Sequence, residues 1–262
     1  MTFRRIDFAR FSSIKIGPVV DVAVLYKGDV PPPERTLIGA ANNLLVGPDP
    51  SPLMMLGKDF DYIRLERGRL IVGAATPTGK ILSFCKRHDI GGFEYVAKLP
   101  GTLGGMLAMN AGVKSYETFD HLLAVRTSEG LFDKREIPHA YRKAQIPGIA
   151  YEATFEVVEG YDADLTAHLL AMRSNQPKEP SAGSAFKNPP GDFAGRLIEA
   201  VGLKGHRVGG MAWSSIHANF LVNRGGGTFE DAMTLIDLAR ARVMDRFGIA
   251  LDLELKIIHN FH

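Results

Sequence analysis

The sequence predicts an α+β fold in two parts: a β-rich part up to about residue 160, then a smaller α+β part. Three observations carry this expectation. Short apolar runs separated by turn residues fill the first part, among them VVDVAVLY, TLIGAANNLLVG and LLAVRTSEGLFD. Apolar residues at helical spacing, with capping residues ahead of them, dominate residues 161–248. The chain then closes with IALDLELKII, where Leu251, Leu253, Leu255 and Ile257 alternate with Asp252, Glu254 and Lys256 in the two-residue period of a strand.

Taken in order, VVDVAVLY reads as a strand broken by GDVPPPE, and Leu37 and Ile38 lead into a polar, Gly-led turn. DYIRLERGRLIVG is a hairpin with Arg67-Gly68 at its tip. Thr76 as cap and Pro77 behind it announce a helix with Ile81, Leu82, Phe84 and Cys85 inward, closed by Gly91 after His88. LLAVRTSEGLFDKREI is a second hairpin. In IAYEATFEV the odd positions Ile149, Tyr151, Ala153, Phe155 and Val157 are apolar, so one face is buried. Asp162 or Asp164 caps a helix running through Leu169, Leu170 and Arg173, which Pro177 and Pro180 end. Asp192 caps the next helix, with Phe193, Leu197, Ile198 and Val201, and Gly202 at its end. Thr228 and Asp231 approximate a capping box for the longest helix, with the stripe Met233, Leu235, Ile236, Val243, Met244 and Phe247, stopped by Gly248.

Composition removes several function classes. A net charge of +2 from 31 basic and 29 acidic residues, with no basic block, argues against nucleic acid and against an anionic membrane surface. The one cysteine, Cys85, cannot form an internal disulfide and reads as a core thiol in a reducing compartment. No apolar run approaches the roughly 18 residues of a membrane span, and MTFRRIDFARF has charges where a signal peptide is apolar; the expected location is the cytoplasm. G-x-G-x-x-G is absent, GAATPTGK departs from the P-loop spacing, and the histidines are scattered without paired cysteines, so neither a Rossmann site nor a metal is expected. No obligate protein partner is evident.

Two loops and three polar residues remain. In LPGTLGGMLAMNAG, Pro100 and Gly101 turn the chain, Gly104 and Gly105 remove side chains, and Asn110 supplies an amide; exposed N–H groups in such a loop can cradle a pyrophosphate. GAANNLLVG offers small residues and two amides after a strand. Taken alone, each is more often a turn than a ligand site. Arg142 can be a surface arginine packed on Tyr141, Glu254 a solvated residue on a terminal strand, and Ser184 a turn residue in SAGSAFKNP.

Together, IGAANNLLV, LPGTLGGMLAMNAG, YRKA, QPKEPSAGSAFKNP, GRLIEAVGLKG, HANFLVN and LDLELKI, in that order, resemble the UDP-N-acetylenolpyruvoylglucosamine reductase family, the flavoenzymes of bacterial cell-wall precursor synthesis. The run GS-x-F-K-N-P followed by L-I-E-x-x-G-L-K-G is the most specific part. The resemblance implies a flavin-binding region of the vanillyl-alcohol-oxidase type over 1–160, to which the terminal strand 249–262 returns, and a substrate-binding domain over 161–248. It implies FAD and NADPH as cofactors and a UDP-sugar as substrate. FAD contacts would come from Gly39, Ala40, Ala41, Asn42, Asn43 and Leu44, and from Pro100, Gly101, Thr102, Gly104, Gly105, Asn110, Ala111 and Gly112. Tyr141, Lys187 and Asn188 would contact substrate, and the segment after YRKA matches the form lacking an extra substrate-covering loop.

The implied chemistry makes Ser184 the proton donor, with Arg142 and Glu254 stabilising the negative charge that follows hydride addition. A guanidinium is permanently charged and grips a carboxylate with two prongs, a carboxyl in a desolvated cleft can hydrogen-bond it, and a held hydroxyl can protonate a strongly basic carbanion. Gly183 is expected to let the backbone come close. Three departures stand out: alanines at 40 and 41 where the family has glycines, which requires negative φ there, Ala144 in place of a serine, and Lys98 in place of a glycine before the Pro-Gly turn. The competing readings are another flavin oxidoreductase of the same superfold and a flavin- or nucleotide-sugar-binding protein without turnover.

Overall fold

The structure is a computed structural model that describes residues 2–172 and 176–260. The chain divides into two compact units, one of residues 1–4, 22–40 and 52–174, the other of residues 5–21, 41–51 and 175–262. The helix expected to follow the boundary at residue 160 thus belongs to the first unit, and two N-terminal segments belong to the second. No described helix is long and apolar enough to cross a membrane.

The first unit is organised by a five-stranded antiparallel sheet in the order Gly130–Asp133, Leu122–Thr127, Ala150–Glu156, Arg69–Gly73, Ile63–Glu66. Both expected hairpins are present. Arg67 and Gly68 both take left-handed φ, the twist that a two-residue turn needs. Leu70, Val72, Val125, Ala153 and Phe155 are buried with Ile81 and Cys85 of the helix Thr78–Arg87 in one core. Burial pushes the Cys85 thiol up to about 12, so it stays protonated and inert. Glu152 breaks the strand's alternation: its carboxylate accepts from the Tyr62 hydroxyl at 2.6 Å and pairs with Arg64 at 2.9 Å, which offsets its burial.

Thr76 does not cap the helix. Its hydroxyl bonds to Tyr62, accepting from the N–H and donating to the carbonyl, and Pro77 stands at the cap with Thr78 first in the helix. The helix ends at Arg87, short of Gly91. A second sheet, in the order Thr2–Asp7, Val19–Leu25, Leu53–Leu56, Thr36–Ile38, pairs its last three strands in parallel and delivers the chain to Gly39. The helix Ala163–Met172 starts behind Asp162, whose carboxylate accepts from Leu165 N–H at 2.7 Å; Arg173 lies outside the described residues.

The second unit has a four-stranded sheet in the order Ser181–Ser184, Phe220–Asn223, Met211–Trp213, Arg207–Val208. The helix Phe229–Phe247 has the expected capping box, from Thr228 and Asp231, and Gly248 closes it in the left-handed conformation. Leu235, Ile236 and Val243 are buried with Phe186, Trp213 and Leu221, whereas Met244 is 47% exposed and stands outside the stripe. Asp192 does not cap the next helix: Asn188 Oδ1 accepts from Ala194 N–H at 3.1 Å, and Asp192 binds Arg196 and the N–H of Phe193. Only Lys256–Ile258 of the terminal segment is a regular strand, parallel to Leu44–Val46. Leu251 and Leu255 are buried beside it in the core.

Asn223 ties this unit together. Its amide nitrogen donates to the carbonyls of Ile14 and Lys15 at 3.1 and 3.2 Å, and its oxygen accepts from Gly225 and Gly227 N–H at 2.9 and 3.2 Å. Replacing it strands buried donors and acceptors, each worth about 1–3 kcal/mol when unpaired. Asn223→Ala is expected to lower unfolding stability by roughly 2–4 kcal/mol in urea titration. An unchanged urea midpoint would contradict the assignment.

Candidate active site

The segment around Ser184 is built by hydrogen bonds on both of its edges. Along one edge Ser184 pairs with Phe220, Ala185 N–H donates to the Asn219 carbonyl at 2.8 Å, and the Asn219 carboxamide grips Phe186: Oδ1 accepts its N–H at 3.0 Å and Nδ2 donates to its carbonyl at 2.8 Å. Along the other edge the Ala185 carbonyl accepts from Glu254 N–H at 2.9 Å and Leu255 N–H at 3.2 Å, and Lys187 N–H donates to the Asp252 carbonyl at 2.8 Å. Phe186 and Leu253 form the bridge between them. Ser184 and Glu254 therefore sit on two adjacent, hydrogen-bonded stretches of chain.

The same array reaches the first loop. Asn43 Nδ2 donates to the Glu254 carbonyl at 2.9 Å, and Lys256 N–H donates to the Asn43 carbonyl at 3.1 Å, where the parallel pairing of 44–46 with 256–258 begins. Ser13 fixes the loop from its other side, through its N–H to the Ala41 carbonyl and its hydroxyl to the Asn42 carbonyl. Ala41 has φ +52° and is buried; Ala40 is not in the left-handed region. One of the two added methyl groups thus sits where glycine would be unstrained.

Gly183 has φ +80°, and a Cβ there would meet nothing within 4 Å. Its left-handed φ is the conformation that glycine supplies without strain. From Ser181, opposite Val222, to Ser184, opposite Phe220, the strand uses one residue more than its partner, and this bulge redirects the Ser184 side chain. Lys187 is half-buried and Asn188 exposed, with its oxygen on the Ala194 N–H.

In the first unit, Arg142 occupies the second turn position of the hairpin His139–Ala140/Lys143–Ala144, with φ +56°. Its guanidinium donates to the Gly112 carbonyl at 2.7 Å and lies 4.9 Å from the ring centroid of Tyr141. Asn110, buried and also left-handed, donates to Glu117 at 2.6 Å and to the Ala140 carbonyl at 3.4 Å and accepts from Phe119 N–H at 3.1 Å, so its carboxamide anchors the Arg142 hairpin. Ala111 accepts from Thr118 through its carbonyl, and Gly112 pairs with Glu117. The loop at 100–105 is pinned by Gly101 carbonyl to Thr78 N–H and by Gly104 N–H to the Ala74 carbonyl. A Cβ on Gly39 would come within 3.1 Å of the Thr102 hydroxyl, and one on Gly105 would meet nothing nearer than 3.9 Å. Gly39 and Thr102, both in the first unit, thus approach each other with no side chain on Gly39 to separate them.

Asn219 stands in HANFLVN, a segment that carries the family resemblance, but no role for it follows from the sequence. The available signal was a polar residue whose apolar neighbours demand burial, since a buried amide must find partners. His217, beside it, has its Nδ1 at 3.3 Å from Asn219 N–H, and burial lowers its pKa, which keeps that nitrogen an acceptor. Gly183→Ala is expected to cost about 1–2 kcal/mol of unfolding stability from backbone strain alone, with no added crowding. An unchanged urea midpoint would contradict a left-handed residue at 183.

Comparison with known proteins accords with this geometry. Residues 176–258, which hold Ser184 and Glu254, match the model for the UDP-N-acetylenolpyruvoylglucosamine reductase C-terminal domain. The chain is 45% identical over 257 residues to the UDP-N-acetylenolpyruvoylglucosamine reductase of Helicobacter hepaticus, covering 97% of this chain and 98% of that one. It is 43% identical over 258 residues to the reductase of Campylobacter jejuni strain RM1221, covering 97% and 99%. The crystal structure of the reductase from Thermus caldophilus superposes with a TM-score of 0.85 at 29% identity, over 98% of this chain and 99% of that one. With identity this high along nearly the whole of both sequences, and the fold shared with a solved member, the chain belongs to the UDP-N-acetylenolpyruvoylglucosamine reductase family.

Proposed function

We propose that the protein reduces UDP-N-acetylglucosamine enolpyruvate to UDP-N-acetylmuramate for peptidoglycan precursor synthesis, with NADPH as reductant, FAD as carrier and the cytoplasm as its setting. The observation that carries this reading is the array binding the Ser184 segment to the Glu254 segment through the Ala185 carbonyl. In this reading 1–160 and the terminal strand 249–262 form the flavin-binding region and 161–248 the substrate-binding domain.

The residues at the two loops fit a flavin dinucleotide. Gly39 and Ala40 follow a strand end, and a Cβ on Gly39 would come within 3.1 Å of the Thr102 hydroxyl, in a stretch that also holds Gly101 and Gly105. Such a surface presents N–H groups and the Thr102 hydroxyl to an anionic linker. When bound, FAD supplies the hydride added to the enolpyruvyl methylene carbon.

The chain's own residues govern the other half of the reaction. Hydride addition breaks the carbon–carbon π bond and leaves an electron pair on the adjacent carbon, delocalised into the carboxylate; a proton must then arrive on that carbon. Arg142 suits the carboxylate because its charge is permanent and its donors form a fork. Glu254, when protonated, hydrogen-bonds the same carboxylate. Ser184 Oγ–H delivers the proton and recovers one from solvent. Tyr141, Lys187 and Asn188 serve substrate binding.

The purified protein is expected to be yellow, to bleach with NADPH under anaerobic conditions, and to regain colour on addition of UDP-N-acetylglucosamine enolpyruvate. In Ser184→Ala, reduction by NADPH should stay within about twofold of the parent, while reoxidation by substrate slows on the order of a thousandfold, as loss of a positioned general acid requires. Bleaching with no substrate-driven return in the parent protein would favour another flavin oxidoreductase or a non-catalytic binder. Equal slowing of both half-reactions in the variant would remove Ser184 as donor.

A further inference from the structure

The hydroxyl of Ser184 is useful only if it is held in one direction, and the bulge at Gly183 means that regular strand register does not set that direction. The regular ladder does not continue past Ser184. Beyond the Ser184–Phe220 pair the opposite chain turns away, with Phe220 N–H bonded to the His217 carbonyl and Ser214 N–H to the Phe220 carbonyl. The backbone groups of Phe186 would be left facing no strand on that edge.

Asn219 takes the strand's place. Its carboxamide offers an acceptor and a donor in one plane, as a peptide does, and both meet the same residue: Oδ1 to Phe186 N–H at 3.0 Å, Nδ2 to the Phe186 carbonyl at 2.8 Å. Its main-chain carbonyl holds Ala185 N–H at 2.8 Å, so the two residues after Ser184 are gripped three times by one residue. Asn219 is 3% exposed and Phe186 fully buried beside Trp213, so water cannot stand in for these bonds. The amide orientation follows from the partners, since the flipped form would set donor against donor.

We propose that Asn219 is a positioning residue for proton delivery: by clamping both backbone groups of Phe186 it fixes the Ser184 hydroxyl, and it acts on the reaction through Ser184 alone. The inference rests on Ser184 being the proton donor. No other residue type reproduces the clamp. Aspartate of the same shape keeps the acceptor but loses the donor and sets a carboxylate against a carbonyl, and alanine removes both bonds. A displacement on the scale of an ångström at a reacting group can lower a rate about a hundredfold.

The test compares Asn219→Asp, Asn219→Ala, Ser184→Ala and the double variant Asn219→Asp/Ser184→Ala in anaerobic stopped-flow measurement of the two flavin half-reactions, with hydrogen–deuterium exchange of the peptide holding residues 184–187 as a second readout. The expected result is that Asn219→Asp reduces with NADPH within twofold of the parent, is reoxidised by substrate ten- to a hundredfold more slowly, and exchanges faster at 184–187. The double variant should be no slower than Ser184→Ala, because a residue acting through the hydroxyl has nothing left to act on. Should Asn219→Ala fail to fold, Asn219→Asp carries the test alone. The inference is overturned if Asn219→Asp slows both half-reactions alike, leaves exchange at 184–187 unchanged, or multiplies the defect of Ser184→Ala. A Ser184→Ala variant with normal reoxidation would instead overturn the donor assignment itself.

Discussion

The Ala185 peptide is the constraint on which the second unit depends. Its N–H is held by Asn219 and its carbonyl by the successive N–H groups of Glu254 and Leu255, while the next residue, Phe186, is packed out of solvent against Trp213. A buried peptide group left unpaired costs about as much as a lost hydrogen bond, so the three stretches of chain cannot separate without that cost. The consequence is positional. Ser184 and Glu254 come from segments seventy residues apart in sequence, yet their spacing is set by a ladder of main-chain bonds rather than by flexible side chains.

The first unit solves the matching problem for Arg142 in the same way. A guanidinium on a two-residue turn would wander, but Asn110 fastens the hairpin at the Ala140 carbonyl and the Gly112 carbonyl holds the guanidinium. Ala41, Asn110 and Arg142 are three of the seven described non-glycine residues with left-handed φ, and each lies in or beside a loop assigned to the cofactor or substrate. Such strain persists only where the surroundings over-determine the backbone, and asparagine tolerates it best.

Much of this was legible in the sequence, and the parts that were not share a cause. The hairpin at Arg67-Gly68, the capping box at Thr228 and Asp231 and the αL stop at Gly248 are local rules, read correctly from adjacent residues. Thr76 and Asp192 misled because each hydroxyl or carboxylate had a second partner, Tyr62 and Arg196, brought by the tertiary fold. Phe193 stands at the cap without a side-chain bond, and Asn188, six residues ahead of Ala194, accepts the first N–H of the helix. The left-handed φ of Gly183 belongs to a bulge that exists only once Ser181–Ser184 has paired with Phe220–Asn223, so its own sequence neighbours do not announce it. Asn219 was invisible because a clamp on another segment has no signature in its own neighbourhood, only the anomaly of an amide among apolar residues.

Scalar couplings transmitted across hydrogen bonds, recorded by NMR on isotope-labelled protein, test the central array most directly. Couplings are predicted from Ala185 nitrogen to Asn219 carbonyl carbon, from Glu254 nitrogen to Ala185 carbonyl carbon and from Lys187 nitrogen to Asp252 carbonyl carbon, each accompanied by slow amide exchange. Absence of all three, with those amides exchanging as freely as an open loop, would contradict the account.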